Sequence, residues 1–239
     1  MGGEDPTRVD SPVPGTFSIA ARNPATDAFG VAVSTALVGV GALCPFVSQH
    51  AAVATQSFVN VEHGKHAIEM ADRGVSIPTA CKALLDDDDH ASYRQLHGIG
   101  ANGRTFTFTG EDCVEWAGHT TGEHHTVAGN MLSGGDVIER MSDTFTSADG
   151  ELAERLLTAL EAGEESGGDK RGKISAALLV HAPNSKLYHN LRVDNSDDPV
   201  GELRDAFEHA RETEEALPAQ AQEMLGDYPE DILNFGLKY

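Results

Sequence analysis

Cysteine is scarce in this chain. Cys44, Cys81 and Cys113 are spread across 239 residues with no C-x-x-C pair among them. That spacing excludes a disulfide framework and offers neither a zinc knuckle nor a dithiol redox motif, so the three read as small core hydrophobes. Long apolar runs are missing too. A stretch such as residues 174–180 falls far short of the roughly 18 to 20 residues that a membrane-spanning helix needs, so no such helix is expected. The opening Met1-Gly2-Gly3-Glu4-Asp5 has acid where a secretory signal has base, which points to the cytoplasm. Basic residues are few: 17 Lys and Arg against 38 Asp and Glu leave a net charge of -21. Such a surface repels phosphate backbones and anionic lipid, so neither nucleic acid nor a membrane is expected as a partner. With only six lysines and acids along the whole chain, the charge suggests a halophilic, high-salt cytoplasm. The run Asp86-Asp87-Asp88-Asp89 lacks the alternating ligands, central Gly and closing Glu of a calcium loop and reads as a solvated helix end.

What is present is one domain's worth of regular pattern. Residues 1–15 hold Pro6, Pro12, Pro14 and Gly, and read as a flexible pro-segment or extension. From Thr16 the apolar residues alternate at strand period, Asn23-Pro24 opens a turn, and residues 29–35 return, which makes a hairpin. A strand at 51–59 follows a Gly-rich connection, then helices at 64–73 and 77–85, with Ser76 as cap and Pro78 in the first turn. Asn102-Gly103 marks a hairpin between 95–101 and 104–109, and 114–117 and 126–132 are expected to extend its sheet. Helical spacing returns at 136–145 and 151–160, strands at 174–180 and 187–193, and a charged helix at 199–217. The order predicts an α+β fold, a four-layer αββα sandwich of two mainly antiparallel sheets with helices outside. The domain runs from 16 to 217, with a tail at 218–239.

Gly15-Thr16 places a hydroxyl at the start of the first strand, behind a removable segment. A hydroxyl is a weak nucleophile, and an adjacent α-amine of reference pKa near ~8 can act as its base. Asn130 is either an oxyanion donor at a strand end or a turn residue. Asp169 and Arg171 either pair with each other, or Arg171 holds a substrate carboxylate. Ser34, Gln56 and Ser175 lie on inner strands and either line a site or satisfy the core. His63, His66, His119, His124 and His125, with Glu62 and Glu123, offer a rival metal site, but none of them sits in an H-E-x-x-H pattern, and no metal or other cofactor is expected.

Thr16-Phe17-Ser18-Ile19-Ala20-Ala21-Arg22, Gly30-Val31-Ala32-Val33-Ser34, Val53-Ala54-Thr55-Gln56, Gly129-Asn130-Met131-Leu132, Gly168-Asp169-Lys170-Arg171-Gly172 and Ser175-Ala176-Ala177-Leu178-Leu179-Val180 occur in an order that resembles the family called domain of unknown function 1028, assigned to the N-terminal nucleophile (Ntn) hydrolases. The resemblance implies the αββα fold and an amidohydrolase with Thr16 as nucleophile, acting on a small-molecule amide or peptide. A homo-oligomer is also expected. The chain departs from the family's pattern in its fifteen-residue extension and in Ile174, where relatives carry Gln. Proteasome β-type subunits of the same superfamily cut themselves at a Gly-Thr bond, which Gly15-Thr16 resembles. The alternatives are a non-catalytic binding or assembly protein with Thr16 blocked, and a His-based metallohydrolase.

Overall fold

The structure is a computed structural model that describes residues 15–218. The expected N-terminal segment, Gly15 excepted, and the tail beyond residue 218 lie outside the described residues. Ten strands form two antiparallel sheets. The larger contains β1 (Thr16–Asn23), β2 (Ala28–Thr35), β7 (Gly118–Thr121), β8 (His125–Asn130), β9 (Ser175–His181) and β10 (Asn190–Val193), in the order β10-β9-β2-β1-β8-β7. The smaller runs β3-β4-β5-β6, from β3 (Pro45–Val47), β4 (Ala51–Ser57), β5 (Arg94–Gly100) and β6 (Thr105–Thr109).

Alternation along β1 explains why the sheets must stack. Successive strand residues point to opposite faces. Phe17 and Ile19 enter a core with Met141 and Phe145 of α3 (Asp136–Ser147), Leu156 and Leu160 of α4 (Leu152–Glu165) and Phe207 of α5 (Pro199–Ala216). Ala20, on the other face, packs with Val31, Val33, Ala52, Ala54 and Ile99 between the sheets. The far face of the smaller sheet is covered by α1 (Val61–Asp72) and α2 (Ile77–Asp86) through Ala67, Ile77, Cys81 and Leu85. The result is the four-layer αββα order expected. Gly163 of α4 lets α3 approach closely, since a Cβ there would stand 2.7 Å from Met141. No helix among the described residues is long and apolar enough to cross a membrane.

Three local expectations are corrected. Residues 114–117 are not a strand, and β8 joins the larger sheet beside β1 rather than extending the 95–109 hairpin. The chain leaves the smaller sheet at Gly110, whose backbone lies so close to Ser92 that a Cβ would be 2.2 Å from its carbonyl oxygen, and a turn closed by Cys113 N–H onto Gly110 O carries it across. β3 lies within the Gly-rich connection and is recruited by pairing with β4. In the aspartate run, Asp88 is not solvated. Its side chain is 9% exposed and accepts from Arg94 Nε at 2.8 Å. That bond holds the Asp88 carboxyl down to about 2.

Candidate active site at the start of the first strand

Register brings four polar residues into line. Thr16 lies opposite Thr35 on one side and Asn130 on the other, and Thr35 opposite Ser175, so one row crosses β9, β2, β1 and β8. All four are buried. Thr16 shares its strand face with Ser18 and Ala20, hence it faces the inter-sheet layer.

The bond before Thr16 sits in a directed geometry. Thr35 Oγ1 donates to the Gly15 carbonyl oxygen at 2.5 Å. A hydroxyl has one proton, so in its 3.1 Å contact with Thr16 Oγ1 it must accept. The Thr16 hydroxyl, Thr35 hydroxyl and Gly15 carbonyl thus form a chain with both protons pointing toward that carbonyl. Asp169 closes the other side. Its carboxylate is so near Gly15 that a Cβ would be 2.6 Å from Cγ and Oδ2, so a larger residue before Thr16 would have to displace the Asp169 side chain. The loop carrying Asp169 turns through left-handed Gly167, Gly168 and Gly172 and is tied down by Lys170 N–H to Met131 O and Ser133 N–H to Gly168 O.

Behind Thr16 lies a buried hydrogen-bond network. Ser18 Oγ donates to Gln56 Oε1 at 2.6 Å, so His97 Nε2, 2.8 Å from Ser18 Oγ, is the protonated ring nitrogen and Nδ1 accepts from Thr126 Oγ1 at 2.8 Å. Burial, with a lesser contribution from His119, pulls His97 down to about 3, which keeps the ring neutral. Gln95 is the hub. Its Oε1 accepts from Gln56 Nε2 at 2.7 Å and Asn130 Nδ2 at 3.0 Å, while its Nε2 donates to Thr109 Oγ1 at 2.9 Å and Gly129 O at 2.8 Å. Asn130 is therefore held in orientation beside Thr16.

Of the residues singled out from the sequence, Thr16, Asn130, Asp169 and Gly15 come together, and Gln56 joins through Gln95. Arg171 turns its fork onto Asp169, Nη2 to Oδ2 at 2.9 Å and Nε to Oδ1 at 3.2 Å, so the two pair with each other. Ser175 Oγ donates to Leu37 O and accepts from Val40 N–H at 3.1 Å, which shapes the turn after β2. Ser34 has the parity of Ala32, so it lies on the helix-facing side, away from Thr16, where its Oγ reaches Ser175 O. The histidines disperse: His63 meets Asp88, His119 meets Thr109, and His125 meets Ser142. Among the described residues, no three His, Cys, Asp or Glu side chains group as metal ligands. Thr35, Ser18, Gln95, His97 and Thr126 were not singled out. Thr35 was legible from the hairpin, whose Asn23-to-Ala28 turn puts it opposite Thr16. The alternation of Gln95 and His97 on one face of a buried strand was the signal for the hub.

The family model for the family of unknown function DUF1028 matches residues 16–203, beginning at Thr16. The chain belongs to this family. A solved DUF1028 structure, the crystal structure of protein SPO2555 from Silicibacter pomeroyi, is similar at 30% identity and a TM-score of 0.76, covering 82% of this chain and 86% of that one. Among curated proteins none matches.

Proposed function

We propose that this DUF1028 protein is an N-terminal threonine amidohydrolase of the Ntn type, activated by its own cleavage at Gly15–Thr16. The observation that carries the reading is the hydroxyl chain from Thr16 through Thr35 to the Gly15 carbonyl. Attack of Thr16 Oγ1 on the Gly15 carbonyl carbon forms a C–O bond while the Thr16 proton passes to Thr35 and the Thr35 proton to the carbonyl oxygen. The intermediate is neutral and needs no separate base. Its collapse breaks the C–N bond, moves the proton from that oxygen to the Thr16 nitrogen, and leaves an ester and a free amine. Water then hydrolyses the ester, restoring the Thr16 hydroxyl and releasing residues 1–15 as a carboxylic acid. Asp169, packed on Gly15, lies where it can accept a hydrogen bond from the new amine and stabilise the ammonium that forms when this amine takes the Thr16 hydroxyl proton.

In the mature protein the Thr16 amine takes the hydroxyl proton as Oγ1 attacks a small-molecule amide or peptide. It then protonates the departing amine, and water resolves the acyl-enzyme. Asn130, oriented by Gln95, is the amide assigned to the oxyanion. A non-catalytic binding or assembly protein is the second reading, favoured by the burial of Thr16, which is 4% exposed beneath Gly15 while the chain is uncut. The test is the cutting rate in purified protein, followed by intact mass. Thr16→Ala should stop the cut, Thr35→Val should slow it about a hundredfold or more, the loss expected when the group that relays the proton to the carbonyl oxygen is removed, and Thr35→Ser should preserve it. Cutting of Thr35→Val at the wild-type rate would remove the hydroxyl chain from the mechanism.

A further inference from the structure

Left-handed backbone outside glycine occurs at three described residues: Asp27, Ser57 and Met131. Asp27 serves the β1–β2 turn. The other two directly follow Gln56 and Asn130, the residues that Gln95 ties together. Such conformations are unfavourable for residues with a side chain and cluster where the surrounding structure holds them for a purpose.

Ser18 meets Gln56 and Ala20 packs with Ala54, so the end of β4 that leads to Phe58 lies over the end of the larger sheet where β1 begins. Phe58, two residues past Gln56, is 45% exposed, and Tyr93, two residues before Gln95, is 42% exposed. Their rings meet edge to face at 5.6 Å. The pair is held rigidly, since Phe58 N–H donates to Tyr93 O at 3.3 Å and Arg94 donates to Phe58 O at 2.8 Å while its Nε is anchored on Asp88. Val114, 36% exposed, adjoins through its carbonyl, which accepts from Met131 N–H, and through Cys113, whose thiol reaches Arg94 O. Surface apolar residues scattered singly need no explanation, but a fixed cluster two residues from the site network does.

We infer that Phe58, Tyr93 and Val114 form the subsite for an apolar, ring-sized side chain next to the scissile amide. This rests on the hydrolase reading above. Chemistry favours an apolar occupant over an acidic one: Glu111, Asp112 and Glu115 flank Val114 in a chain of net charge -21, and Arg171 has its fork on Asp169 rather than open to a carboxylate.

The experiment uses the processed protein, which begins at Thr16, and six dipeptides, Phe-Gly, Gly-Phe, Asp-Gly, Gly-Asp, Lys-Gly and Gly-Lys, with glycine release as readout. At least one Phe dipeptide should show a kcat/KM tenfold or more above every charged one. Phe58→Ala or Tyr93→Ala should reduce that preference below threefold, and Tyr93→Phe should keep it. Binding is read separately by saturation-transfer NMR on N-acetylphenylalanine amide, whose ring protons should receive saturation from wild type and not from the Phe58→Ala/Tyr93→Ala double variant. Ring contact without turnover upholds the subsite and rejects the hydrolase. Turnover whose preference ignores Phe58 and Tyr93 rejects the subsite and keeps the hydrolase. If the double variant turns an oligomer into a monomer on sedimentation, a second copy covers these rings and the inference falls.

Discussion

At one end of the layer between the sheets, Ala20, Phe29, Val31, Val33, Ala52, Ala54 and Ile99 pack side chain on side chain. Toward the other, reached along the same strands, Ser18, Gln56, Gln95 and Asn130 fill the space with hydrogen bonds, and His97 and Thr126, beside Ala54 and Ala20, join the two regions. Both ends are buried, yet they are stabilised differently. The apolar end gains by removing surface from water, roughly 25 cal/mol per Å², and tolerates swaps of similar volume. The polar end is sound only while each donor and acceptor is matched, because an unmet buried group costs about 1–3 kcal/mol. A fold needing only stability would extend the first solution. Keeping the second beside Thr16 fixes the orientation of Asn130 at the expense of tolerance to mutation.

Breaking each end in turn separates the two roles, and Gln95 should give the largest effect. Gln95→Met leaves the buried Gln56 and Asn130 amides without their shared acceptor and should destabilise by about 3 kcal/mol or more, with processing lost as well. Ile99→Ala, on the same strand at the apolar end, should cost about 2–5 kcal/mol by leaving a cavity but should not change activity per folded molecule. Urea midpoints paired with activity decide this. Asn130→Ala should lower kcat about a hundredfold with little change in KM, since an oxyanion donor acts chiefly in the transition state. Equal losses of kcat from Ile99→Ala would erase the distinction between the ends.

A smaller effect follows from His97. Its folded-state value, about 3, lies below the ordinary 6.5, so as pH falls the unfolded chain takes up the proton first. Stability is therefore full above about pH 6.5 and declines as pH drops toward 3, with a slope of at most about 1.4 kcal/mol per pH unit from this one ring. Burial places His125 and His189 at about 4, which adds to the slope in the same direction. Between pH 6.5 and 5 most carboxylates stay ionised, and His97→Gln should flatten the urea midpoint measured there. An unchanged slope would mean that His97 is not the neutral member of the network.

Much of this architecture was legible because it rests on local rules. The Thr16 hairpin, both helix pairs and the Asn102-Gly103 turn follow from period and turn chemistry, and the hairpin register alone implies that Thr35 faces Thr16. The crossing at Gly110 was not legible, since a strand's period does not say which sheet it joins. Gln95 was hidden for a related reason: its partners lie in β4, β6 and β8, and only stacking of the two sheets brings them together. The sequence of the Asp169–Arg171 loop allows either mutual pairing or an open guanidinium, and the fold selects the pairing.

The most direct test is the N-terminus of the active protein. Intact mass spectrometry of protein made in its native host should show a chain lacking residues 1–15, beginning at Thr16, with amide hydrolysis confined to that species. A full-length chain that hydrolyses amides, or a cut Thr16→Ala variant that does so at the wild-type rate, would contradict the assignment of Thr16 as nucleophile.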